Sequence, residues 1–417
     1  MNKRLGSGLI IFAALFSPLS TWAQEISLEQ AYKAAITLED HHEKNLSIRE
    51  QARARFRQSR SFLFPSVTAV GQYKDTRLTD LESDAETSTI NKTVGVNLRQ
   101  TLFQGGLFNG IKREKASEEI SNLTARKNDL DVYSIVAEAY YRITLLAGTL
   151  DVLNEIEKVS TKRVSDLKKR VSIGKSKQTD LLTNELQNQE IKLQIGQVST
   201  ELKAMQELFA RLTGLPANSK LRSSYDLPEL KSLDYYLGKM DQVPDLKIQT
   251  KQLYIAEKSK SIASAQHLPQ VYFDVSAKQG EFSALEEARE VAAQITLELP
   301  LFQGGRTSAL AQEADWKRRE EKAKLDSLKK DYTLEITNQY ELLKKNIELF
   351  KIHELSLATA RKNYQVFNRE LGLGLVSNLE LLSSLSSYLS AKKNREEAFL
   401  QLKLVELNLN NLIGEKN

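Results

Sequence analysis

The same pentapeptide, Leu-Phe-Gln-Gly-Gly, occurs twice in this chain, at Leu102–Gly106 and at Leu301–Gly305. Other landmarks recur at nearly the same separation. A glycine followed six positions later by an acid and then by two leucines occurs at Gly174 and again at Gly374. A repeat this long is a structural unit rather than a local turn, so the chain contains two copies of a unit of about 200 residues.

The positions of proline predict where long helices lie. Residues 66–215 contain no proline, and neither do residues 301–417. Proline removes a backbone donor and clashes with the preceding turn of a helix. Both stretches are rich in Leu, Lys, Glu, Gln and Ala, which favour helices. The two stretches therefore predict very long helices.

Apolar residues three and four apart run through residues 106–172 and 306–371, which predicts two rods. At 1.5 Å per residue each rod is roughly 100 Å long. Each reaches a glycine turn, about 172–179 and about 372–378, and return helices follow at Thr179–Leu212 and Leu379–Leu412. A lone antiparallel pair has little core, so lateral packing against neighbours is expected. A soluble coiled-coil filament is an alternative that explains the helices alone.

Before each pentapeptide the sequence alternates with a period of two. Val94, Val96 and Leu98 oppose Gly95, Asn97 and Arg99, and the same pattern occurs at Val291–Leu299. Nine or ten alternating residues fit a tilted strand of a membrane barrel. A half-buried strand of a soluble sheet shows the same alternation. The predicted strands lie at about 66–75, 92–103, 270–279 and 290–300.

Four strands are too few to close a barrel, and lipid does not accommodate open sheet edges. If these strands cross a membrane, several chains must contribute to one barrel. Two chains would form a narrow eight-stranded barrel filled by side chains, whereas three would form twelve strands with room for a lumen. The chain is therefore expected to be an oligomer.

The first 23 residues have the features of a secretory signal peptide. Lys3 and Arg4 precede the apolar segment Leu9–Leu15, and Thr21-Trp22-Ala23 provides a cleavage site. The chain contains no cysteine, which excludes disulfides and thiolate metal sites. Its net charge of +5 falls to +3 when Lys3 and Arg4 are removed, and its basic residues are dispersed. Nucleic acid is therefore not an expected partner.

The sequence predicts neither an enzyme nor a cofactor or metal site. The two adjacent histidines are not spaced as a metal-binding pair on a helix, and the other two are isolated. Neither phosphate-binding glycine pattern is present, so no nucleotide loop is expected. The four histidines are His41, His42, His267 and His353.

The repeated strand pair before Leu-Phe-Gln-Gly-Gly, together with the turn Gly-Leu-Val-Ser-Asn-Leu-Glu-Leu-Leu at Gly374–Leu382, resembles the TolC-like outer membrane efflux proteins. The resemblance covers essentially all of the mature chain. It implies a first repeat at 24–216, an equatorial connector at 217–243 and a second repeat at 244–417. The implied fold is mainly α-helical with a membrane β-barrel. In that family a homotrimer forms a twelve-stranded barrel continued by a long periplasmic α-helical barrel.

The resemblance also implies a location and partners. The protein would lie in the outer membrane of a Gram-negative bacterium, in contact with its lipid. It would be the exit duct for a periplasmic adaptor protein and an inner-membrane pump of ABC, RND or MFS type, in efflux or type I secretion. A stand-alone porin and a periplasmic structural coiled coil are the alternatives, but the first needs no rods of this length and the second needs no lipid-facing hairpins.

By the same resemblance, the two helix–turn–helix tips form the periplasmic entrance. Asp180 and Glu380 are then candidates for an acidic constriction, because a ring of carboxylates selects cations in a narrow pore. Ser377-x-x-Glu380 is also a capping box, an alternative role for that acid. Asp180 has Lys177 where the capping serine would be. The candidates for the tip turns and adaptor contact are Gly174, Gly374, Leu375, Val376 and Ser377.

One feature departs from the family pattern. Some relatives hold the entrance closed through a tyrosine and an arginine that flank the second tip glycine, and the corresponding positions here are Leu371 and Val376. An apolar constriction or an adaptor-binding patch is expected there instead. At the other end of each rod, glycines are expected at the strand-to-helix corner because they adopt backbone angles that other residues resist. The corner candidates are Gly105, Gly106, Gly304 and Gly305.

Overall fold

The computed structural model describes residues 25–79, 86–222, 226–282 and 285–415, and the predicted signal peptide lies outside them. The described residues form helices and one four-stranded sheet. The helices are α1 (Leu28–Ile36), α2 (Glu39–Ser61), α3 (Leu107–Ser172), α4 (Gln178–Thr213), α5 (Leu233–Leu237), α6 (Pro244–Ser264), α7 (Arg306–Gly372) and α8 (Asn378–Leu412). The strands are β1 (Ser66–Thr79), β2 (Glu86–Gln104), β3 (Gln270–Phe282) and β4 (Leu285–Glu298). This confirms a two-repeat protomer with one strand pair in each repeat.

The two rods are α3, with 66 residues, and α7, with 67. Each is about 100 Å long at 1.5 Å per residue. α4 and α8 return antiparallel to them after tight turns. None of the helices in the part of the chain that the structure describes is long and apolar enough to cross a membrane.

The strands pair antiparallel in the order β1-β2-β3-β4. Val67 lies opposite Leu98, Leu98 opposite Val275, and Val275 opposite Ala293. Directly opposed residues of antiparallel strands share a face of the sheet. The apolar positions of all four strands therefore align into one continuous face. Its members include Val67, Ala69, Val94, Val96, Leu98, Phe273, Val275, Ala277, Val291, Ala293, Ile295 and Leu297.

The hairpins extend further than the alternation predicted. Residues 75–91 were expected to be a polar connection, yet β1 continues to Thr79 and β2 begins at Glu86, with Arg77 opposite Ser88. Backbone pairing continues there because the ladder needs no apolar side chains. β4 instead ends at Glu298, two residues before the predicted end, just ahead of Leu299 and Pro300. Proline has no N–H to give to a ladder.

The long helices form one layer. α3 packs against α2 and α6 and also against α4 and α8, while α7 packs against α6 and α8. Near the sheet the order across the layer is α2-α3-α6-α7, and near the turns it is α4-α3-α8-α7. α2 and α4 therefore form one edge of the protomer, and α7 forms the other.

The core is concentrated halfway along the layer, where the short helices α1 and α5 pack on it. Ala31 and Ala35 of α1 contact Val136 and Tyr140 of α3, all of them buried. Tyr236 of α5 packs on α7 and α8. Tyr141 touches three of the core clusters, so this level joins the two repeats.

Candidate functional site

The candidate site is the pair of helix turns farthest from the sheet, here called tip 1 (173–177) and tip 2 (373–377). Both turns contain a glycine in the left-handed region, with φ 73° at Gly174 and 75° at Gly374. The N–H of Lys175 donates to the Arg170 carbonyl at 2.7 Å, and that of Leu375 to the Glu370 carbonyl at 3.1 Å. This six-residue bond closes the end of each rod and fixes the same backbone path at both tips.

The start of the return helix differs between the tips. At tip 2 the Ser377 N–H donates to Glu380 Oε2 at 2.7 Å, and the Glu380 N–H donates to Ser377 Oγ at 3.3 Å. This is a complete capping box. The backbone hydrogen bond from Ser377 is the main cause that lowers the pKa of Glu380 below its usual value. The carboxylate is therefore ionised and held at the helix start.

Tip 1 has no such box, because Lys177 at the N-cap makes no side-chain cap. Asp180 lies in the first turn of α4, where a negative charge favours the helix N-terminus. It is half-buried, whereas Glu380 is exposed. The charge of Asp180 also acts on Arg163 of α3. The two acids thus occupy equivalent backbone positions in different surroundings.

The two hairpins lie side by side, so both tips are at the same end of the protomer. Val152 and Ile156 of α3, Ile191 of α4 and Leu385 of α8 form one buried cluster. Tyr364 and Tyr388 stack nearby with ring centroids 6.0 Å apart. Contacts between the hairpins in this cluster are apolar.

Tip 2 carries a group of exposed leucines. Leu373, Leu375 and Leu379 are 74%, 70% and 71% exposed. Leu371 and Val376, which replace the polar residues of some relatives, are half-buried. Leu379 was not singled out from the sequence, although an apolar residue between the capping serine and its acid could have identified it. Tip 1 has Ile173 as its exposed apolar residue.

The strand-to-helix corners lie at the opposite end of the rods. Gly106 and Gly305 adopt φ 85° and 84° immediately before α3 and α7, and Gly304 also has a positive φ of 58°. A Cβ on Gly105 would lie 2.3 Å from the Ala265 carbonyl oxygen, which the backbone cannot accept. Gly105 is thus required by close packing, and the other three by their φ angles.

Two polar contacts between helices were not predicted from the sequence. His41 Nε2 lies 2.8 Å from Asp129 Oδ1 and joins α2 to α3. Lys127 Nζ and the Tyr332 hydroxyl donate to Asp245 at 2.7 and 2.6 Å and join α3, α6 and α7. Burial raises the pKa of Asp245, but these hydrogen bonds outweigh burial and leave the pKa below its usual value. The described residues include no cluster of three metal-ligating side chains.

Comparison with known proteins places this architecture. Residues 48–214 and 240–415 match the family model described as Outer membrane efflux protein. The outer membrane protein TolC of Vibrio cholerae is 21% identical, with 97% of this chain and 94% of the relative covered. The solved structure of VceC from Vibrio cholerae superposes with a TM-score of 0.77 at 16% identity, covering 93% of this chain and 96% of that one.

The CmeC outer membrane channel of Campylobacter jejuni gives the same TM-score of 0.77 at 15% identity, with 93% of this chain and 85% of that one covered. At such identities the structural matches establish a shared fold. The two segments matched by the family model extend over most of the chain.

Proposed function

The chain belongs to the outer membrane efflux protein family, and from that premise we propose that three copies form one duct with a periplasmic adaptor and an inner-membrane pump. The protein is an outer-membrane efflux channel of a Gram-negative bacterium and reaches into the periplasm. The family is one of transport channels rather than of enzymes. The number of copies, the adaptor and the pump are the proposed part.

The open edges of the sheet carry the proposal for three copies. β1 and β4 each pair with one neighbour only, so each has an unpaired edge. The apolar face that faces lipid is continuous from β1 to β4. In lipid such edges must be paired by strands of other copies. Three four-stranded sheets make a twelve-stranded barrel wide enough for a lumen.

The helical layer has matching unpaired edges. On α4, Leu182, Leu186 and Leu193 are exposed along one stripe. On α7, Leu349, Ile352 and Leu355 are exposed on the other edge of the protomer. Large apolar side chains along a long helix favour lateral packing. A second copy, whose α7 lies against α4, covers both stripes and continues the layer into a tube.

Cysteine cross-linking tests this arrangement, since the chain has no cysteine of its own. Leu193 is 16 residues after the first residue of tip 2's counterpart return helix begins to rise, and Leu355 is 17 residues before α7 ends, so both lie roughly 25 Å from the tips. The double variant Leu193→Cys/Leu355→Cys should form disulfide-linked trimers on oxidation. Leu193→Cys/Leu334→Cys, whose second site is about 30 Å higher, is the matched control. A monomeric mass with no cross-linked species argues against the trimer.

The exposed leucines of tip 2 support the proposed contact with an adaptor. Leu373, Leu375 and Leu379 project from the end of the hairpin, where no residue of the same protomer covers them among those described. Replacing Leu373 and Leu375 with serine should abolish co-purification of the adaptor encoded with this chain while the trimer mass is unchanged. Adaptor capture at the wild-type level by this variant would place the contact elsewhere.

Asp180 and Glu380 support a cation-selective entrance. Threefold symmetry would gather three copies of each acid around one axis, where carboxylates attract cations. In planar bilayers the channel should prefer cations and be blocked from the periplasmic side by multivalent cations. Asp180→Asn/Glu380→Gln should lower both effects, and Ser377→Ala, which removes a cap but no charge, is the control. Wild-type selectivity in the double neutral variant would assign these acids to helix starts only.

A further inference from the structure

The end of α2 next to the sheet is unusually basic. Its last nine residues, 53–61, contain four arginines and no acid. The first turns of α3, which pack beside it, add Lys112, Arg113 and Lys115 against Glu114. The formal charge of the whole chain is only +5, so this end of the helical layer holds a concentrated excess of positive charge. The four arginines are Arg53, Arg55, Arg57 and Arg60.

Three of these arginines share one flank of α2. Arg53, Arg57 and Arg60 are spaced by four and three residues, which places them along one side of a helix. The Arg60 guanidinium lies 5.9 Å from the centroid of the Phe56 ring, and Lys115 Nζ of α3 lies 5.1 Å from the same ring. Arg53, Arg57, Arg60 and Lys115 therefore form one basic patch across two helices.

The patch lies on the face of the layer that carries α1. Lys115 precedes Val136 by 21 residues, which is three heptads, and positions a heptad apart share a face of packed long helices. Val136 is fully buried beneath Ala31 and Ala35 of α1. In the tube proposed above, α1 can only lie outside, because a helix inside would obstruct the lumen. The basic patch is therefore on the outer surface.

The patch lies close to the membrane boundary. Arg53 is eight residues before the end of α2, or about 12 Å along the axis. Exposed Phe62 and Phe64 follow α2 directly, and Phe108 opens α3. Aromatic side chains favour the interface between lipid and water. The arginines thus lie at the depth of the lipid headgroups.

The charges of the patch are only partly compensated. Arg53 and Arg57 both contact Glu50, at 3.3 and 3.5 Å, and Lys115 contacts Glu118 at 2.7 Å. Four cations therefore face two carboxylates. Arg53 and Arg57 remain 60% and 65% exposed, which leaves their remaining N–H donors available to a phosphate.

We propose that the basic patch of Arg53, Arg57, Arg60 and Lys115 binds the phosphate headgroups of anionic phospholipids in the periplasmic leaflet of the outer membrane. The aromatic side chains insert among the acyl chains, and the arginines hold the headgroups below them. Anionic lipid at this site fixes the height of the duct in the membrane. The inference uses the proposed trimer only to decide which face is the outer one.

Lipid binding to the full-length protein in detergent tests the proposal. The probes are phosphatidylglycerol and phosphatidylethanolamine labelled on the acyl chain, followed by fluorescence polarisation. The wild type should bind phosphatidylglycerol at least tenfold more tightly than phosphatidylethanolamine, and raising the salt to about 0.5 M should reduce the difference. Arg53→Gln/Arg57→Gln/Arg60→Gln should lose at least tenfold of the preference, since each basic residue contributes about fivefold near an anionic surface.

The control carries the same loss of charge near the tips. Lys158→Gln/Lys162→Gln/Lys169→Gln lies more than about 70 Å along α3 from its first residue and should keep the wild-type preference. Native mass spectrometry of the same samples separates the two proposals. A wild type that is not trimeric contradicts the proposed function, whereas a trimer whose lipid preference survives the arginine substitutions overturns the inference alone.

Two further outcomes are decisive. If the triple variant does not assemble, the single variants Arg53→Gln and Arg60→Gln should each lose about fivefold of the preference. If these also fail to form trimers, the arginines hold the neighbouring copy, and lipid binding is rejected. Arg53→Lys/Arg57→Lys/Arg60→Lys keeps the charge and should retain most of the preference.

Discussion

The two strand-to-helix corners have the same sequence and the same backbone turn but different surroundings. A Cβ on Gly105 would collide with the Ala265 carbonyl oxygen at 2.3 Å, and one on Gly106 would lie 3.1 Å from Ile262 Cα. Around Gly304 and Gly305 the described residues leave open space. The first corner is in the middle of the protomer, beside α6, and the second is at its edge. The repeat therefore sets the turn, while position in the protomer sets the packing.

The tips show the reverse relation. Their surroundings are similar, but one residue differs: Ser377 completes a capping box, and Lys177 does not. The pattern of duplication thus predicts equal backbones, whereas equal stability does not follow from it. Four experiments test this comparison between the repeats.

The largest effect is expected from arginine on the apolar face of the sheet. Leu98→Arg on β2 and Leu297→Arg on β4 should each cost roughly 2–4 kcal/mol per chain near the bilayer midplane. Both positions face lipid in the barrel, so the centre and the edge of the protomer should respond alike. Yield of folded protein in the outer membrane measures the effect.

Asn97→Arg and Thr296→Arg, on the opposite face, are the matched controls and should be tolerated. Equal loss in both sets would show that the sheet is oriented the other way or is buried on both faces.

The corners should differ in a single protomer. Gly105→Ala should cost about 1–3 kcal/mol or more, because the backbone of α6's C-terminal turn cannot move aside. Gly304→Ala should cost about 1–2 kcal/mol, the usual penalty for alanine in the left-handed region. The midpoint of denaturation in detergent measures both.

Valine at Gly106 or Gly305 should likewise reduce trimer yield more than valine at Gly110, where nothing lies within 4 Å. A larger loss at Gly305 than at Gly106 would indicate that a neighbouring copy packs against the second corner. A larger loss at Gly110 would contradict the corner assignment.

The tips can be made alike by single changes. Ser377→Ala should destabilise the first turn of α8 by about 1 kcal/mol, and Lys177→Ser should stabilise that of α4 by a similar amount. Hydrogen exchange of the amides in these turns reports each effect separately. If neither substitution changes protection, the difference in caps is without consequence for the tips.

The smallest effect is the response of tip 2 to acid. The capping bonds lower the pKa of Glu380 from its ordinary value of 4.5. A lowered pKa in the folded state stabilises the box above the unfolded value, and this contribution is lost as the pH falls through the folded value. Protection of the first turn of α8 should therefore decline below about pH 4.5. Glu380→Gln removes the titration and should flatten the response.

The sequence predicted the helices and strands well because their periodicities are long and uninterrupted. The rods end at Ser172 and Gly372, within a residue or so of the predicted glycine turns. The hairpins were underestimated because the side chains of residues 75–79 and 86–91 do not alternate in the way that marks a strand. The leucines of tip 2 and the contacts of His41 and Asp245 involve residues whose partners or exposure depend on how distant segments pack.

The sequence by itself determined the duplicated unit, the left-handed glycines and the capping box, because each depends on residues within a few positions of one another. Only the tertiary structure decided that Gly105 faces α6, that the apolar positions of four strands align and that Arg53, Arg57 and Arg60 adjoin Lys115. These relations join residues that are far apart in the chain, and their distances are fixed by the packing of long helices. A repeat can encode the same turn twice, but the two copies acquire different neighbours.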